Sequence, residues 1–555
     1  MTRLPARAGL LALFVIVGLV AAAPAGAANF TVNSTADTHD ANLADPACAT
    51  AAGTCTLRAA VDQANLTPAP DVIVLRGGTY TLTGAAGNND NSSGDLDIRH
   101  ATTISGAGAR RTKIVGTGSD RVIDLDVEPG ALLKISGVTI TGGGGQASGG
   151  GIHQSNGFLM LSDSSVVRNR VESATGTSNQ GGGLFVSAHF HLENVTIAKN
   201  VATRGASSSF GPQGGGLYDN GATLPASIEN VTFAGNRANG AGAQGGGEFD
   251  NATDGAEGWT NVTMTGNSVS GSGAQAGGIF VNDHITIRNS IVARNRSGSA
   301  KSNCFLNDSV HSVGNNLEEG TDCAFTLAGD LRNTNPLLAP LANYGGQVDT
   351  QALLSGSPAI DSGTAEGCPK TDARGVARPQ GPECDIGAFE AGCLTTRGKL
   401  HGKSLGGAKL GRSQKAQRRK FQGLRLKTRK GLDRYCAAGG GSFQVGYPTK
   451  RLLRTLKRNV RRKLKKRVVI VVTSSKHFSL KGLRRGDSRK KARRKLPGAR
   501  RLRVGNKRWL VVPGRRVTLL VRIHAGKVQE IGIADGRLSN GTKGTKRLLR
   551  AWRIS

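Results

Sequence analysis

The residues of this chain that could do chemistry are a few aspartates at matched positions. Asp219 and Asp250 each follow a glycine triplet by three residues, and they lie 31 residues apart. Asp283 falls nearby in the next such unit. If the units stack, the two matched carboxylates lie one coil apart, close enough to share a cation or to raise one pKa. The simpler interpretation is a set of solvated loop acids.

Carboxylates placed in this way would suit two kinds of reaction on sugars. A polysaccharide lyase needs acidic calcium ligands and a basic residue that acts as the base, on adjacent coils of one face. A glycoside hydrolase needs two carboxyl groups about 5 to 10 Å apart. His153, His189 and His191 fall in different columns of the repeat and are interpreted as surface histidines. The sequence leaves a catalytic site open without specifying one.

A column of aromatic residues runs beside these acids. One position in four consecutive units holds Phe185, Tyr218, Phe249 and Phe280. Strand alternation lets either this column or its neighbour point inward. An inward column would be a core stack, which is the expectation. An outward column would form a flat strip suited to sugar rings and would move the two matched aspartates to the opposite face.

A glycine-led repeat of about 31 residues must position all of these side chains. It runs from roughly Gly149 to Arg296, and its units close on motifs such as NVTIAKN from Asn194 and NVTFAGN from Asn230. Apolar residues alternate within a unit, which is the period of a strand, and they match between units. The repeat predicts an all-β fold, a right-handed parallel β-helix solenoid with a continuous core.

Two asparagine columns favour the same geometry, since a corner asparagine tolerates a left-handed backbone and its amide can bond the next asparagine in a stack. The first column contains Asn194, Asn230, Asn261 and Asn289, with Asp163 in the first unit. The second, the structural ladder, contains Asn169, Asn200, Asn236, Asn267 and Asn295. Stacking also predicts that Val195, Val231 and Val262 line one axial row.

Two segments that precede the repeat have recognisable sequence patterns. Arg3 and Arg7 precede an apolar run, and Ala25-Gly26-Ala27 supplies small residues for cleavage, which is the layout of a signal peptide. The segment TLRAAVDQANL from Thr56 has apolar residues at helical spacing, and it predicts a short helix that covers the open first coil.

Eight cysteines fit an exported protein, and their spacing suggests four local pairs. The candidate disulfides are Cys48–Cys55, Cys304–Cys323, Cys368–Cys384 and Cys393–Cys436. The sequence contains no CxxC and no Cys/His cluster with zinc spacing, so no metal site is predicted from these residues. No cofactor is expected, although the aspartates leave binding of Ca²⁺ open.

Motifs at the two ends of the repeat resemble a known family. The segments FTVNSTAD (from Phe30) and CTLRAAVDQAN (from Cys55) resemble the CSLREA domain that leads into secreted bacterial β-helices of the pectin-lyase-like kind. Ala59 stands where the family motif has Glu, so any role of that acid is lost. The segments SPAIDSG (from Ser357) and CDIGAFE (from Cys384) resemble the choice-of-anchor Q region. The resemblance covers about residues 29–392 and implies no defined activity.

The charge is split between two parts of the chain. Residues 393–555 carry 50 Lys and Arg against 4 Asp and Glu, whereas residues 1–392 carry 23 against 34. A mildly acidic body therefore precedes a strongly basic tail. The expected organisation is a signal peptide (1–27), a CSLREA-like cap (28–70), the parallel β-helix (71–330), a choice-of-anchor Q-like closing region (331–392), a basic linker (393–435) and a basic α+β module (436–555).

The basic module contains strand and helix signals. Strands are predicted in KRVVIVVTSS from Lys466 and in RRVTLLVRIHAGKV from Arg515, and a helix is predicted over Leu452–Lys466. Between them, Leu480–Gly498 reads as a turn, an Asp/Ser cap and a short basic helix.

These features together favour a non-catalytic surface protein, secreted or held at the cell surface. The β-helix would act as an adhesin-like scaffold, and the basic module would bind a polysaccharide or an anionic polymer of the cell envelope. The signal peptide argues against cytoplasmic nucleic acid, and no transmembrane segment is expected in the mature chain. The alternative is a polysaccharide lyase or glycoside hydrolase that acts on an acidic polysaccharide at the Asp219/Asp250 face.

Overall fold

The protein is rich in β-strands and has few, short helices. The computed structural model describes residues 26–86, 90–173, 179–221, 226–252, 257–354, 357–392, 398–421, 425–429, 431–437, 442–539 and 541–551. The predicted signal peptide lies almost wholly outside the described residues. No helix in those ranges combines the length and the apolar character that crossing a membrane requires.

Four long sheets make up the first part of the chain, and their strands are parallel except at one end of the fourth. Sheet 1 contains Asn29–Val32, Asp71–Leu75, Thr102–Gly106, Leu132–Ser136, Phe158–Ser162, His189–Glu193, Ser227–Glu229, Glu257–Thr260, Ile285–Arg288 and Val310–Ser312. Sheet 2 contains Leu96–Ile98, Ile123–Leu125, Ile152–Gln154, Leu184–Val186, Leu217–Asp219, Glu248–Asp250, Ile279–Val281 and Cys304–Leu306. Sheet 3 contains Gly78–Thr81, Thr112–Val115, Thr139–Thr141, Ser165–Val167, Thr196–Ala198, Thr232–Ala234, Thr263–Thr265, Ile291–Ala293 and Leu317–Glu318. Sheet 4 contains Arg170–Val171, Val201–Thr203, Arg237–Asn239, Ser268–Ser270, Arg296–Ser297 and Ala300–Lys301.

The chain visits these sheets in a fixed order. One unit passes through Ile152–Gln154 of sheet 2, Phe158–Ser162 of sheet 1, Ser165–Val167 of sheet 3 and Arg170–Val171 of sheet 4. It then returns to sheet 2 at Leu184–Val186, which pairs in parallel with the strand it left. Each unit is therefore one coil, and the coils stack as a solenoid of parallel strands.

The register of the coils is the one that the repeat predicts. In sheet 1, Leu161 pairs with Ile135 on one side and with Leu192 on the other. Val195, Val231 and Val262 are fully buried and belong to one hydrophobic cluster that follows the stack. The prediction of a common axial row is confirmed.

The two asparagine columns perform different tasks. Asn194, Asn230, Asn261 and Asn289 have positive φ angles between 49° and 56°, so they form the left-handed corners. The structural ladder forms the amide chain: Asn200 Nδ2 donates to Asn236 Oδ1 at 3.1 Å, and Asn236 Nδ2 donates to Asn267 Oδ1 at 3.0 Å. We expected each column to provide both properties, but the backbone turns one residue before each ladder amide, at residues such as Lys199 and Gly235.

The ladder makes a large stability effect at Asn236 testable. Replacing Asn236 by Ala removes its bonds to Asn267 and to the carbonyl of Ile197, and it leaves the buried N–H of Asn200 without an acceptor. Unpaired buried polar groups are costly, so we expect a loss of about 2 to 4 kcal/mol in the free energy of unfolding, measured by denaturant titration.

An exposed amide ladder on the same coils provides the matched control. Asn251 donates to Asn220 and accepts from Asn282, but at the solvent-exposed surface. Because water can replace those bonds, Asn251→Ala should cost under about 1 kcal/mol. Equal losses in the two variants would contradict the role assigned to the buried ladder.

The N-terminal helix covers the first coils as predicted. It spans Leu57–Ala64, Thr56 caps it by accepting from the Ala59 N–H, and its apolar face is buried in the axial core. Arg58 is also buried, where it pairs with Asp37 at 2.8 Å and donates to three carbonyl groups of residues 91–95.

Three disulfides are present, and they are three of the four pairs suggested by the spacing. They are Cys48–Cys55, Cys304–Cys323 and Cys368–Cys384. They point to an oxidising, extracytoplasmic environment. The fourth suggested pair lies outside the described residues, because Cys393 and the side chain of Cys436 are not among them.

Residues 335–354 and 357–392 form a strap along the side of the solenoid. The strap packs on sheet 3, and it reaches Arg110, whose Nη1 lies 2.7 Å from Asp349 Oδ1. Its carbonyl groups also accept from the left-handed corner asparagines, at 2.9 Å for both Asn230 and Asn261. The expected closing region therefore braces many coils from the side.

A buried ion pair holds the strap together. Arg378 and Glu390 are 2.9 Å apart, and both side chains are almost fully buried. Arg378 also donates to the carbonyls of Asp385 and Gly387 and to Asn230 of the solenoid.

The basic part of the chain is organised around an antiparallel sheet of eight strands. In spatial order these are Arg425–Arg429, Leu432–Cys436, Ser442–Gly446, Ile470–Thr473, Lys527–Asp535, Val517–His524, Lys507–Val512 and Arg500–Val504. Short strand pairs are Gly398–Lys399 with Phe478–Ser479 and Ser404–Leu405 with Ala408–Lys409. The helices of this part are Gln414–Lys420, Lys450–Arg454, Arg458–Leu464, Arg489–Lys495 and Gly541–Ala551.

Two expectations about this part were wrong. Residues 398–421 are not a flexible linker, because Leu405, Ala408 and Phe421 are buried in one cluster with Phe443 and Phe478 of the module. The single helix predicted over 452–466 is two shorter helices that are separated at residues 455–457. The predicted basic helix is confirmed as Arg489–Lys495, with Ser488 as its N-cap.

Candidate functional site

Asp219 and Asp250 lie side by side, but they face the interior of the solenoid. They pair across neighbouring strands of sheet 2, in a column with Val186 and Val281 of the axial core. Their exposed fractions are 2% and 0%. A polysaccharide on the outer surface does not reach these carboxylates.

Two glutamates that the sequence analysis did not single out join them. Glu248 pairs with Leu217 and Ile279 in sheet 2, and Glu257 pairs with Ile285 in sheet 1. Both are buried where the other coils bury apolar residues. The signal was present in the sequence as a charged residue in each of two apolar columns. We call Asp219, Glu248, Asp250 and Glu257 the interior acid cluster.

The interior acid cluster brings carboxylate oxygens close together. Asp219, Asp250 and Glu257 can each offer one oxygen within 4.8 Å of the others. A few donors face the cluster: the N–H of Gly221 lies 2.9 Å from Asp219 Oδ1, and Trp259 Nε1 lies 2.8 Å from Glu257 Oε1. Burial raises the pKa of Asp219 to about 7 and that of Asp250 to about 6.

The glutamates of the cluster are in a still less favourable environment. Burial, followed by the charge of the facing Glu257, raises the pKa of Glu248 well above its usual value. Burial also raises the pKa of Glu257. These groups favour a proton or a cation, since an isolated buried carboxylate is costly.

Asp283 does not join the interior acid cluster. Its side chain is partly exposed and lies 3.1 Å from the ring of His284, with the exposed Asp308 near enough for the three to form a separate donor group. Of the three candidate catalytic acids, the structure therefore brings together only Asp219 and Asp250.

The aromatic column lies outside the axial core, so the expectation of an inward core stack was wrong. Phe185, Tyr218, Phe249 and Phe280 alternate with the buried inward residues, and they continue the stack to Phe305. Neighbouring rings are stacked in nearly parallel planes, with centroids 4.8 to 5.3 Å apart.

The ring faces in this column cover one another. Tyr218 and Phe249 are each 4% exposed and Phe280 is 2% exposed. A flat sugar platform requires open ring faces, and the described residues of this column present little more than ring edges at these three positions.

A second group of buried acids begins the same outward column. Asp97 pairs with Asp124, which pairs with His153, so acids precede the aromatics along the stack. His153 Nδ1 and Arg121 Nη1 each lie 2.7 Å from one oxygen of Asp124. His153 is therefore a partner of a buried carboxylate and not the surface histidine that we expected.

The environment separates the pKa values within this second group. Burial, then the charge of Asp97, raises the pKa of Asp95 to about 8. Burial also raises the pKa of Asp97 to about 6. For Asp124, the hydrogen bond from His153 and the charge of Arg121 outweigh burial and lower the pKa.

Asp95 makes the stability of the fold depend on pH. Its pKa is higher in the folded chain than in the unfolded chain, so between about pH 4 and pH 8 the folded state holds a proton that the unfolded state has lost. Stability is therefore fully present at the acidic end and falls as the pH rises through this window. We expect Asp95→Asn to melt at a higher temperature than wild type near pH 8, with a difference that shrinks toward pH 5, in thermal unfolding followed by circular dichroism.

The exposed Asp308 supplies the control for loss of a charge. Asp308→Asn should not raise the melting temperature above that of wild type near pH 8. A constant difference between Asp95→Asn and wild type at every pH would contradict the assignment.

A basic cleft of about 860 Å³ opens in the C-terminal module, and the sequence analysis did not identify it. It lies between the helix Arg489–Lys495 and one edge of the eight-stranded sheet. Seven of its fifteen lining residues are Arg or Lys, and none is acidic. These seven are Arg489, Arg493, Arg501, Arg503, Lys507, Arg508 and Arg522.

Strand alternation builds this cleft. In the edge strand Arg500–Val504, Leu502 and Val504 are buried, so Arg501 and Arg503 are exposed. Arg503 pairs with Arg508 of the next strand, which places two guanidinium groups on one face. The signal in the sequence was the alternating pattern RRLRV.

Most of the positive charge in the cleft is not neutralised within the described residues. Arg522 pairs with Glu530 at 2.7 Å, and no other lining residue has an ion pair among the described side chains. Burial and the nearby charge of Arg522 lower the pKa of Lys507. The arrangement can therefore bind an anion that brings several negative groups at once.

No protein-family model, no curated protein and no solved structure matches the chain.

Proposed function

We propose that the chain is an exported right-handed parallel β-helix that serves as a non-catalytic scaffold and binds anionic polymers of the cell envelope through its C-terminal module. The observation that carries this proposal is the basic cleft. Arginine suits such a site because its planar guanidinium group forms paired hydrogen bonds with carboxylate and phosphate groups.

The shape and setting of the cleft favour a polymer as the ligand. The lining arginines continue along an edge strand and a helix face, and the residues around them, such as Arg494 and Lys495, are also exposed and basic. A chain with repeated uronate or phosphate groups could contact many of these cations. The charged side chains of this edge strand also oppose its pairing with another sheet.

The environment indicated by the disulfides supports an extracytoplasmic partner. Three disulfides fit an oxidising environment, where the available polyanions are wall polymers, acidic glycans and extracellular DNA. Among these we favour polysaccharide or envelope polymer. Cytoplasmic nucleic acid remains the less suitable partner for an exported chain.

The solenoid supports a scaffold role more than a catalytic one. Asp219 and Asp250, the acids on which the lyase or hydrolase alternative depended, are buried in the interior. As part of the proposal, we assign the CSLREA-like and choice-of-anchor Q-like regions to the capping helix and to the strap that brace this scaffold.

Removing charge from the cleft should weaken polyanion binding more than removing the same charge elsewhere. We expect Arg493→Ala/Arg501→Ala/Arg503→Ala to weaken binding of the full chain to polygalacturonate and to polyphosphate by at least about tenfold. This is the effect of losing roughly 1.5 kcal/mol or more of charge-assisted bonding. Biolayer interferometry at several salt concentrations would measure it.

The control variant carries the same charge change outside the cleft. Arg458, Arg515 and Arg516 are exposed and do not line the cleft, so their replacement by Ala should weaken binding by less than about threefold. Binding that does not weaken with salt, or equal losses of affinity in the two triple variants, would contradict the assignment of the cleft as the polyanion-binding site.

The non-catalytic part of the proposal has its own test. Prolonged incubation of the full chain with polygalacturonate should give neither new reducing ends nor unsaturated uronate product. Either product, if it disappears in Asp219→Asn or Asp124→Asn, would establish the enzyme alternative.

A further inference from the structure

Within the part of the chain that the structure describes, no cation balances the charge of the interior acid cluster. Asp219, Glu248, Asp250 and Glu257 are at most 2% exposed, and no ion pair among the described residues involves any of them. The neighbouring coils place Val186, Ile279 and Ile285 at the matching positions, so the four acids stand where adjacent coils bury apolar side chains. Packing alone gives no reason for these residues.

Glu248 provides a second observation that points to a ligand. It is not one of the three acids that lie within 4.8 Å of one another, and its side chain is fully buried. Neither of its carboxylate oxygens accepts a hydrogen bond from an N–H or hydroxyl donor among the described residues, and the carboxyl faces that of Glu257, with Asp250 and Asp219 next to it. Asp250 Oδ2 and Glu257 Oε2 also lack partners. Three of the four acids therefore have a carboxylate oxygen that no described donor meets.

We propose that a Ca²⁺ ion binds in the interior acid cluster, with Asp219, Asp250 and Glu257 as ligands and Glu248 completing the carboxylate set. Calcium takes six to eight oxygen ligands in flexible geometry, and carboxylates can bind it through one or both oxygens. The cluster contains no Cys or His, which disfavours zinc. Magnesium usually keeps several waters, and acids that are at most 2% exposed leave little room for them.

The donors already present complement such an ion. Ca²⁺ would balance two of the four formal charges, and the N–H groups of Gly221, Ala252 and Trp259 stabilise carboxylate oxygens that remain. The ligands come from two neighbouring strands of sheet 2 and one strand of sheet 1. The ion would thus join two coils inside the stack. This inference is independent of polyanion binding by the module.

Metal analysis of the full chain tests the proposal directly. Protein isolated in the presence of Ca²⁺ and passed into chelator-treated buffer should retain about one Ca²⁺ per chain by mass spectrometry. Ca²⁺ added after unfolding and refolding in chelator should raise the melting temperature by about 3 to 6 °C. Mg²⁺ should not reproduce this shift.

The test variant introduces at two cluster positions the residue types that the neighbouring coils have there. Glu248→Leu/Asp250→Val copies Leu217 and Val281, so the apolar column becomes continuous and the fold should persist. This variant should lose the bound Ca²⁺ and the shift in melting temperature. If it does not fold, Glu248→Gln/Asp250→Asn keeps the side-chain volumes and should show the same loss.

The second group of buried acids provides the control. Asp97→Asn alters a different acid group and should retain both the ion and the temperature shift. Ca²⁺ that survives in the cluster variants would place the ion elsewhere and overturn the proposal. Absence of bound Ca²⁺ from wild type, or Mg²⁺ or Zn²⁺ in its place, would overturn it as well.

Discussion

The structure depends on one constraint, which is that every coil must lie in register on the coil before it. A coil of about 31 residues has too little apolar surface to be stable alone, so its inward residues are buried only by neighbours. The hydrogen bonds between parallel strands and the amide chain through Asn200, Asn236 and Asn267 are satisfied by the same stacking. A shift of one residue would turn each inward side chain outward and break both sets of contacts at once.

The same constraint makes departures from the pattern informative. A column that repeats a residue type through many coils is explained by packing, as the stacked rings from Phe185 to Phe305 show. A column that changes from Leu217 to Glu248 and back to Ile279 is not explained in that way, because the strands on both sides place apolar residues at this position. Charged residues kept inside such a core indicate a local role that stacking does not require.

Local patterns were enough to predict the coils, the capping helix and three cysteine pairs, since each depends on residues close in sequence or on the repeat period. Alternation left open which of two columns faces inward, so the aromatic column was assigned to the wrong side. Residues 393–435 have few apolar residues, which predicts a linker. Leu405 and Phe421 of this segment are buried against Phe478, which is distant in sequence. The basic cleft also depends on strands brought together by the tertiary fold.

The strap has a consequence for how this protein can change in evolution. Solenoids usually gain or lose a coil at small cost, because each coil contacts only its neighbours. Here the ion pair between Arg110 and Asp349 connects the strap to a coil far along the stack, while Asn289 is bonded to the strap at Thr364. One added coil would increase the distance between these anchors by about 4.8 Å. The length of the strap therefore fixes the number of coils between its anchors, and duplication or deletion of a single repeat there is disfavoured.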